Sequence, residues 1–383
     1  MSALLAALEP VARSARDRAA EIEAARALPQ DLAEALAGAG AMRMLVPTCH
    51  GGLEVHPAEM IDALRTLGRA DGATGWCAMI GATTGLLAAS LPEATAERIY
   101  GGDPAVITCG VTAPAGRATP VEGGYRVSGR WTFGSGSRNA AWLSGGCLEL
   151  DGAGEPRVDG HGAPRVLLAF FQADAVELHD TWHVSGLRGT GSGDFEVRDL
   201  LVPADRVVAF GGRPRVDRPL YRFPTFGLLA LGVASVAVGV AERALEELVA
   251  LATDKVPTGA RRTLADRGAV QEDVARAEAA LRSAGAFMRE AVDGAWAAAE
   301  AGEALTVAHK AELRLAAVHA TWAAVDAVDR AYHAAGGTAI HEASALQRCF
   351  RDVHVATQHI MVGRSVFELA GRVRLGRSPG GPL

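Results

Sequence analysis

Gly124-Tyr-Arg-Val-Ser-Gly-Arg-Trp-Thr-Phe-Gly-Ser-Gly-Ser137 decides how the chain is organised. It opens on a short β-rich run, Gly124 to Ser128, and Glu122-Gly-Gly-Tyr125 reads as a hairpin turn feeding it. Its end is rich in Gly and Ser, which favour turns. Similar short runs surround it at Ala105 to Gly110, Trp142 to Leu148, Val166 to Gln172 and Asp194 to Leu200, among frequent Gly and Pro. This texture predicts a compact β-barrel over residues 104–221. On either side the period changes to that of helices. Residues 1–103 predict an all-helical domain. One helix starts at Pro29, and another runs over Pro57 to Arg69 with Met60, Ile61, Leu64 and Leu67 on one face. Trp76 to Leu91 is apolar nearly all round and reads as a buried helix, and Pro92 opens a short amphipathic one. Residues 222–383 hold four long helical segments, Leu228 to Thr253, Gly268 to Ala301, Thr306 to Gly336 and Leu346 to Gly371, which predict an antiparallel four-helix bundle. The fold class is therefore α+β, in the order helices, barrel, bundle.

Composition narrows the function classes. The chain of 383 residues is 49% hydrophobic and 21% charged, which excludes a disordered protein. A net charge of −6 gives no attraction for nucleic acid or an anionic membrane. The five cysteines are scattered with no C-x-x-C pair, which argues against a zinc or dithiol site and fits a reducing compartment. Met1 to Arg13 lack a signal pattern. The apolar run Phe226 to Ala241 is shorter than the ~20 residues a bilayer requires and reads as a buried helix. The expected location is the cytoplasm, with no membrane and no metal.

Four motifs carry more. They are Cys109-Gly-Val-Thr-Ala-Pro-Ala-Gly116, Gly129 to Ser137, Asp180-Thr-Trp-His-Val-Ser-Gly-Leu-Arg-Gly-Thr-Gly-Ser192, and Ala335-Gly-Gly-Thr-Ala-Ile340 with the following Leu346 to His354 and Thr357-Gln-His359. In this order and spacing they resemble the acyl-CoA dehydrogenase superfamily over essentially the whole chain. More closely they resemble its reduced-flavin-dependent monooxygenase branch, which holds the oxygenase components of 4-hydroxyphenylacetate hydroxylase and dibenzothiophene monooxygenase.

The resemblance implies roles for particular residues. Val111 and Thr112 lie in the loop that runs along the flavin ring, where Ala113 replaces the family's acidic residue. Phe133, Gly134 and Ser135 stand in the strand beside the ring, with the Ser135 hydroxyl near N5. The family's Arg-x-Phe-Gly signature for the FAD pyrophosphate is not plainly present. The nearest stretch is Leu264 to Gln271, giving Arg267 and Gln271 as cofactor-binding candidates, and this weak match tilts the expected cofactor from FAD towards FMN. Gly336 and Gly337 match the glycines that let backbone approach the cofactor's phosphate or adenosine region. Trp76 and Arg188 are placed near the substrate. Where many family members carry the Glu that takes the α-proton of a thioester stands Ile360, which accepts no proton. His359 lies just before it, where the monooxygenase branch has a histidine.

The implied activity uses reduced FMN or reduced FAD and O2, through a C4a-(hydro)peroxyflavin, to hydroxylate an aromatic or polycyclic substrate. Such chemistry needs a dry pocket and a hydrogen-bond donor near N5, for which Ser135 is the candidate. It also needs a base for a phenolic proton, which a histidine titrating near neutrality would suit; His359 is that candidate. No G-x-G-x-x-G follows a strand, so a separate NAD(P)H-dependent flavin reductase is the expected partner. The family also implies a homotetramer, assembled through the bundle. Two alternatives stay open: an FAD-dependent acyl-CoA dehydrogenase with a displaced base at Glu312, Glu342 or Glu368, and a non-catalytic flavin-binding homologue. Bland readings stand beside the sharp ones: Trp131, Trp142 and Trp182 as packing residues, His354 as structural, Arg188 as a loop ion pair and Gly336-Gly337 as a helix stop.

Overall fold

In the computed structural model, which describes residues 2–160, 162–381 and 383, six helices come first. They are α1 (Ala3–Asp17), α2 (Ala19–Ala25), α3 (Gln30–Gly38), α4 (Pro57–Ala70), α5 (Gly72–Gly85) and the short α6 (Glu93–Ala96). Proline at the first position starts α4, and it buries Met60, Ile61, Leu64 and Leu67 on the face their spacing requires. Helix α5 is capped by the Asp71 carboxylate, which accepts from the Thr74 N–H at 2.7 Å. Every residue of α5 is buried, in keeping with its all-round apolar sequence. A Cβ added to Gly75 would lie 2.7 Å from the Gly68 nitrogen, so glycine here lets the start of α5 fold back against α4.

Seven strands follow: β1 (Thr108–Val121), β2 (Gly124–Trp131), β3 (Trp142–Glu149), β4 (Val166–Gln172), β5 (Glu177–His179), β6 (Asp194–Pro203) and β7 (Val207–Ala209). They form one sheet in the order β5-β6-β2-β1-β3-β4-β7. All its pairs are antiparallel except β1 with β3, which is parallel. The expected hairpin turn is a two-residue connection, Glu122-Gly123, with Val121 paired to Gly124 and Gly123 at φ 82°. Among the described residues no strand pairing joins β5 to β7, so the expected barrel is a sheet left open at its edges. The centre of the sheet is Trp131. Added Cβ atoms at Gly116, Gly129 or Gly145 would fall within 2.4–2.8 Å of its indole, whose Nε1–H donates to the Gly146 carbonyl at 2.7 Å. Small residues thus make room for one large ring, and the packing reading of Trp131 holds.

The C-terminal part contains α7 (Pro219–Arg222), α8 (Thr225–Asp254), α9 (Gly268–Glu300), α10 (Val307–Ala335), α11 (Ala345–Ala356) and α12 (Ser365–Arg374). Helix α8 is long and apolar enough to cross a membrane by length and composition, yet most of that apolar stretch is buried inside the fold. It lies against α4 so closely that a Cβ on Gly68 would meet the Val236 carbonyl at 2.7 Å. The fourth expected long helix, Leu346 to Gly371, is corrected to two short ones. The chain leaves helical geometry after Ala356 and resumes it at Ser365, and the intervening turns carry His359. One continuous core runs through all three parts, from Leu64 and Met79 to Trp131 and Phe171 and on to Val236, Leu313 and Val353.

Candidate active site

A cavity of about 360 Å³ opens where the sheet, α5, the start of α8 and the break after α11 meet. That is within the size range of small-molecule sites. Its first wall is a bulge. Val111 pairs with Gly145 and Gly116 with Cys147, so β1 advances from 111 to 116 while β3 advances only from 145 to 147. The extruded segment carries Thr112 and Ala113 into the cavity lining beside Val111. Gly146 permits this, because a Cβ there would sit 2.4 Å from the Thr112 carbonyl. The second wall is a turn after β2, which corrects the strand expected for Phe133, Gly134 and Ser135, since β2 ends at Trp131. Phe133 holds φ 63°, a left-handed backbone that is costly for a bulky residue, and 68% of its surface is exposed. Backbone bonds from Gly134 to Gly193 (3.0 Å) and from Gly136 to Thr190 (2.9 Å) staple this turn to the segment that ends the third motif. That segment is itself anchored: the Leu187 N–H donates to Asp352 on α11 at 2.6 Å. Leu187, with φ 49°, is a second strained residue in the lining.

The polar side chains of the cavity are hydroxyls, one amide and one imidazole. Ser135, buried, accepts from Trp76 Nε1–H at 3.2 Å and lies 2.6 Å from Ser192 Oγ. Ser192 is in turn 2.6 Å from Thr190 Oγ1, which donates to the Leu187 carbonyl at 2.8 Å. Ser144 is buried with no partner for its hydroxyl among the described residues. None of the lining residues is Asp, Glu, Lys or Arg.

His359 lines the same cavity, its ring edge-on to Trp76 with centroids 5.6 Å apart. The expectation of a near-neutral titration is corrected: burial, reinforced by the charge of Arg314, pushes its pKa down to about 4. Its Nδ1 accepts from the Met361 N–H at 3.3 Å. The single proton of the neutral ring therefore sits on Nε2, making His359 a hydrogen-bond donor at neutral pH. Asp352 is shifted the other way, up to about 7, by burial and the nearby Asp71.

Of the residues singled out from the sequence, Trp76, Val111, Thr112, Phe133, Ser135 and His359 converge on this cavity. Gly134 supports the turn from behind, where a Cβ would meet Phe195 at 2.8 Å. Arg188 is outside the lining and faces Glu23 of α2 at 3.9 Å, which is the loop reading rather than the substrate one. Arg267, Gln271, Gly336 and Gly337 are also outside it. They gather at one end of the bundle. There Arg267 immediately precedes α9, and Lys255 Nζ binds the Ala335 carbonyl (2.7 Å) and Thr338 (2.6 Å). His354 pairs with Asp329 at 2.9 Å, a structural contact. Glu312, Glu342 and Glu368 do not line the cavity, whereas Ile360 does. Sequence reading missed the lining roles of Trp182, Thr84, Ser144, Thr190 and Ser192. For Thr190 and Ser192 the signal was present, as hydroxyls inside the third motif.

The residues present fit a flavin. A cavity of this volume lined by Trp76, Phe133 and Trp182, with glycines that let backbone close in and a hydroxyl at Ser135, makes the kind of site an isoalloxazine ring requires. The comparisons agree. A family model described as "Acyl-CoA dehydrogenase, N-terminal domain" matches residues 5–98, and one described as "Acyl-CoA dehydrogenase, C-terminal domain" matches residues 231–364. The chain is 36% identical to an indole-3-acetate monooxygenase of Pseudomonas putida, covering 97% of this chain and 94% of that one. It is 30% identical to the oxygenase component of an FADH2-dependent resorcinol hydroxylase of a Rhizobium species, covering 96% and 92%. The solved structure of XiaF from a Streptomyces species, in complex with FADH2 and glycerol, superposes with a TM-score of 0.90 at 26% identity, covering 99% and 96%. The chain belongs to the acyl-CoA dehydrogenase superfamily, in its flavin-dependent monooxygenase branch.

Proposed function

We propose that this oxygenase binds reduced flavin in the cavity, receives it from a separate NAD(P)H-dependent reductase, and hydroxylates an aromatic substrate whose buried part is uncharged. The observation that carries the substrate reading is a lining without a single ionised side chain at neutral pH. A charge placed there would lack a counter-charge. Relatives named for indole-3-acetate and resorcinol support an aromatic ring as the target.

Bound reduced flavin supplies the electrons that activate dioxygen and transfer one oxygen atom to the substrate. The residues of the chain do the rest. Val111, Thr112 and Phe133 hold the ring, and Ser135 meets its N5 edge. Trp76, Ile80, Leu168 and Leu229 exclude water from the reacting face. His359 donates from Nε2 to a substrate oxygen and so orients it. This replaces proton removal by His359 itself. Arg267, Gln271, Gly336 and Gly337 serve the phosphate or adenosine end of a cofactor held mainly by another subunit, which calls for a homo-oligomer, a tetramer in this reading. Their separation from the cavity within one chain supports that division.

The test is reconstitution with a flavin reductase, NADH and simple indoles and phenols. Oxygen uptake coupled to hydroxylated product is expected. Anaerobic bleaching of tightly held FAD by an acyl-CoA, with no hydroxylation, would overturn the reading.

A further inference from the structure

The hydroxyl line beside Trp76 has only one consistent arrangement of protons. Thr190 Oγ1 gives its single hydrogen to the Leu187 carbonyl at 2.8 Å, so in its 2.6 Å contact with Ser192 it must accept. Ser192 thereby spends its hydrogen, and in its 2.6 Å contact with Ser135 it must accept as well. Ser135 therefore donates to Ser192. Trp76 Nε1–H, which can only donate, points at Ser135 from 3.2 Å. A serine hydroxyl has one hydrogen and two lone pairs. Ser135 has used the hydrogen and one lone pair inside the protein, so what remains towards the cavity it lines is an acceptor, which corrects the donor expected from the sequence. The far end is held fast: the Leu187 carbonyl also accepts from Trp182 Nε1–H at 3.1 Å, and the Leu187 N–H is tied to Asp352 at 2.6 Å.

We propose that Thr190 and Ser192 are positioning residues that set the direction of the Ser135 hydroxyl, and so make the site prefer a flavin bearing N–H at its N5 position over one whose N5 is a bare acceptor. The inference rests on the reading that Ser135 meets that edge of the flavin. Reduced flavin carries the N–H and oxidised flavin does not, so the first completes the acceptor and the second sets lone pair against lone pair. An unmade buried hydrogen bond of this kind changes the ratio of the two affinities by roughly 5- to 100-fold.

The experiment is an anaerobic titration of the full chain with FMN and with dithionite-reduced FMN, for the wild type, Ser192→Ala, Thr190→Val, Thr190→Ser and Ser135→Ala. Ser192→Ala removes the acceptor for the Ser135 hydrogen, which then turns into the cavity. Thr190→Val sends the Ser192 hydrogen back towards Ser135 with the same result. In both variants oxidised FMN gains and reduced FMN loses. Their affinity ratio falls by about tenfold, which lowers the two-electron potential of the bound flavin by about 30 mV. Thr190→Ser preserves the line and keeps the wild-type ratio. A purely structural role would weaken both forms alike. An unchanged ratio in Ser192→Ala and Thr190→Val, or an equal loss of both forms, overturns the proposal. If Ser135→Ala shifts the ratio while those two do not, only the directional argument fails. If Ser135→Ala changes neither affinity, Ser135 does not meet the flavin, and the reading beneath the proposal falls with it.

Discussion

The cavity beside the sheet and the glycine turn at the end of the bundle are built on opposite logics. At the cavity, the lining comes from the β1 bulge, the Phe133 turn, the hydroxyl line and the broken segment around His359, packed against one another. Backbone there is strained at Phe133 and Leu187 and held by side chains from distant elements. At the bundle end, Gly336 also has a positive φ of 59°, but an added Cβ at Gly336 or Gly337 would meet nothing within 4 Å. Closely packed glycine at Gly146 makes room for this chain's own backbone, whereas open glycine at Gly336 leaves room for something else. The difference marks the cavity as closed by this chain's own packing and, on the reading proposed above, the bundle end as a surface for a cofactor held by another subunit.

Breaking the cavity should have the largest effect. Gly146→Val would drive a side chain into the Thr112 and Ala113 carbonyls. A cost of about 1–3 kcal/mol or more is expected for such overpacking, read as a lowered melting temperature together with lost flavin binding. Gly336→Ala should spare flavin binding in the cavity and cost only the strain of a backbone, φ 59° and ψ −147°, that essentially glycine alone adopts, about 1–3 kcal/mol. Equal damage to flavin binding from both would erase the distinction between the regions.

Next in size is His359→Phe. It removes the Nε2–H donor, and kcat/KM for a phenolic substrate should fall roughly 10- to 100-fold, the cost of leaving a buried substrate oxygen without its partner. The reduced-flavin Kd should not move. A parallel loss of both would assign His359 to the cofactor instead.

Arg267→Ala probes the other region. Affinity for FAD should drop by roughly tenfold while affinity for FMN stays within about twofold, since the contact proposed for Arg267 is with the adenosine-side phosphate that FMN lacks. Identical responses of the two flavins would detach Arg267 from the adenosine end.

The smallest effect is in stability against pH. His359 is held below its ordinary range, so its contribution is present above about 6.5 and lost as pH falls towards 4. Asp352 is held above its ordinary range, so its contribution is present at low pH and lost as pH rises from about 4 to 7. The two slopes oppose each other in the wild type. Asp352→Asn should make the melting temperature climb more steeply between pH 4.5 and 7, and His359→Gln should tilt it the other way. These are changes of a few degrees at most, and melting curves that respond to neither substitution would contradict the assigned shifts.

Much of this was legible in the residues. Hydrophobic period placed α4 and α8 closely, and the Gly-rich motifs located the β1 bulge and the Phe133 turn. The break after Ala356 was not legible, because Val355 and Val362, seven residues apart, keep helical spacing across it. What holds the segment out of the helix is tertiary: Arg314 Nη2 donates to the Met361 carbonyl at 3.3 Å and Trp322 Nε1–H to the Val362 carbonyl at 3.2 Å, and the segment lines a cavity whose other walls lie far away in sequence. The depressed pKa of His359 has the same origin, since burial among distant elements leaves no local mark. Trp182 reads as packing by type, yet its Nε1–H serves Leu187 and its ring meets Phe133 at 6.1 Å in the cavity wall. The direction of the hydroxyl line depends on which carbonyl Thr190 reaches, which spacing alone does not specify.

The most direct check of the whole account is an anaerobic titration of the wild-type chain with dihydro-FMN, followed by flavin absorbance and fluorescence. Saturable binding of one reduced flavin per subunit, tighter than for oxidised FMN, is the predicted result. Failure to take up the reduced flavin, or a stronger hold on the oxidised form, would contradict the claim that this cavity is built around an N–H-bearing isoalloxazine.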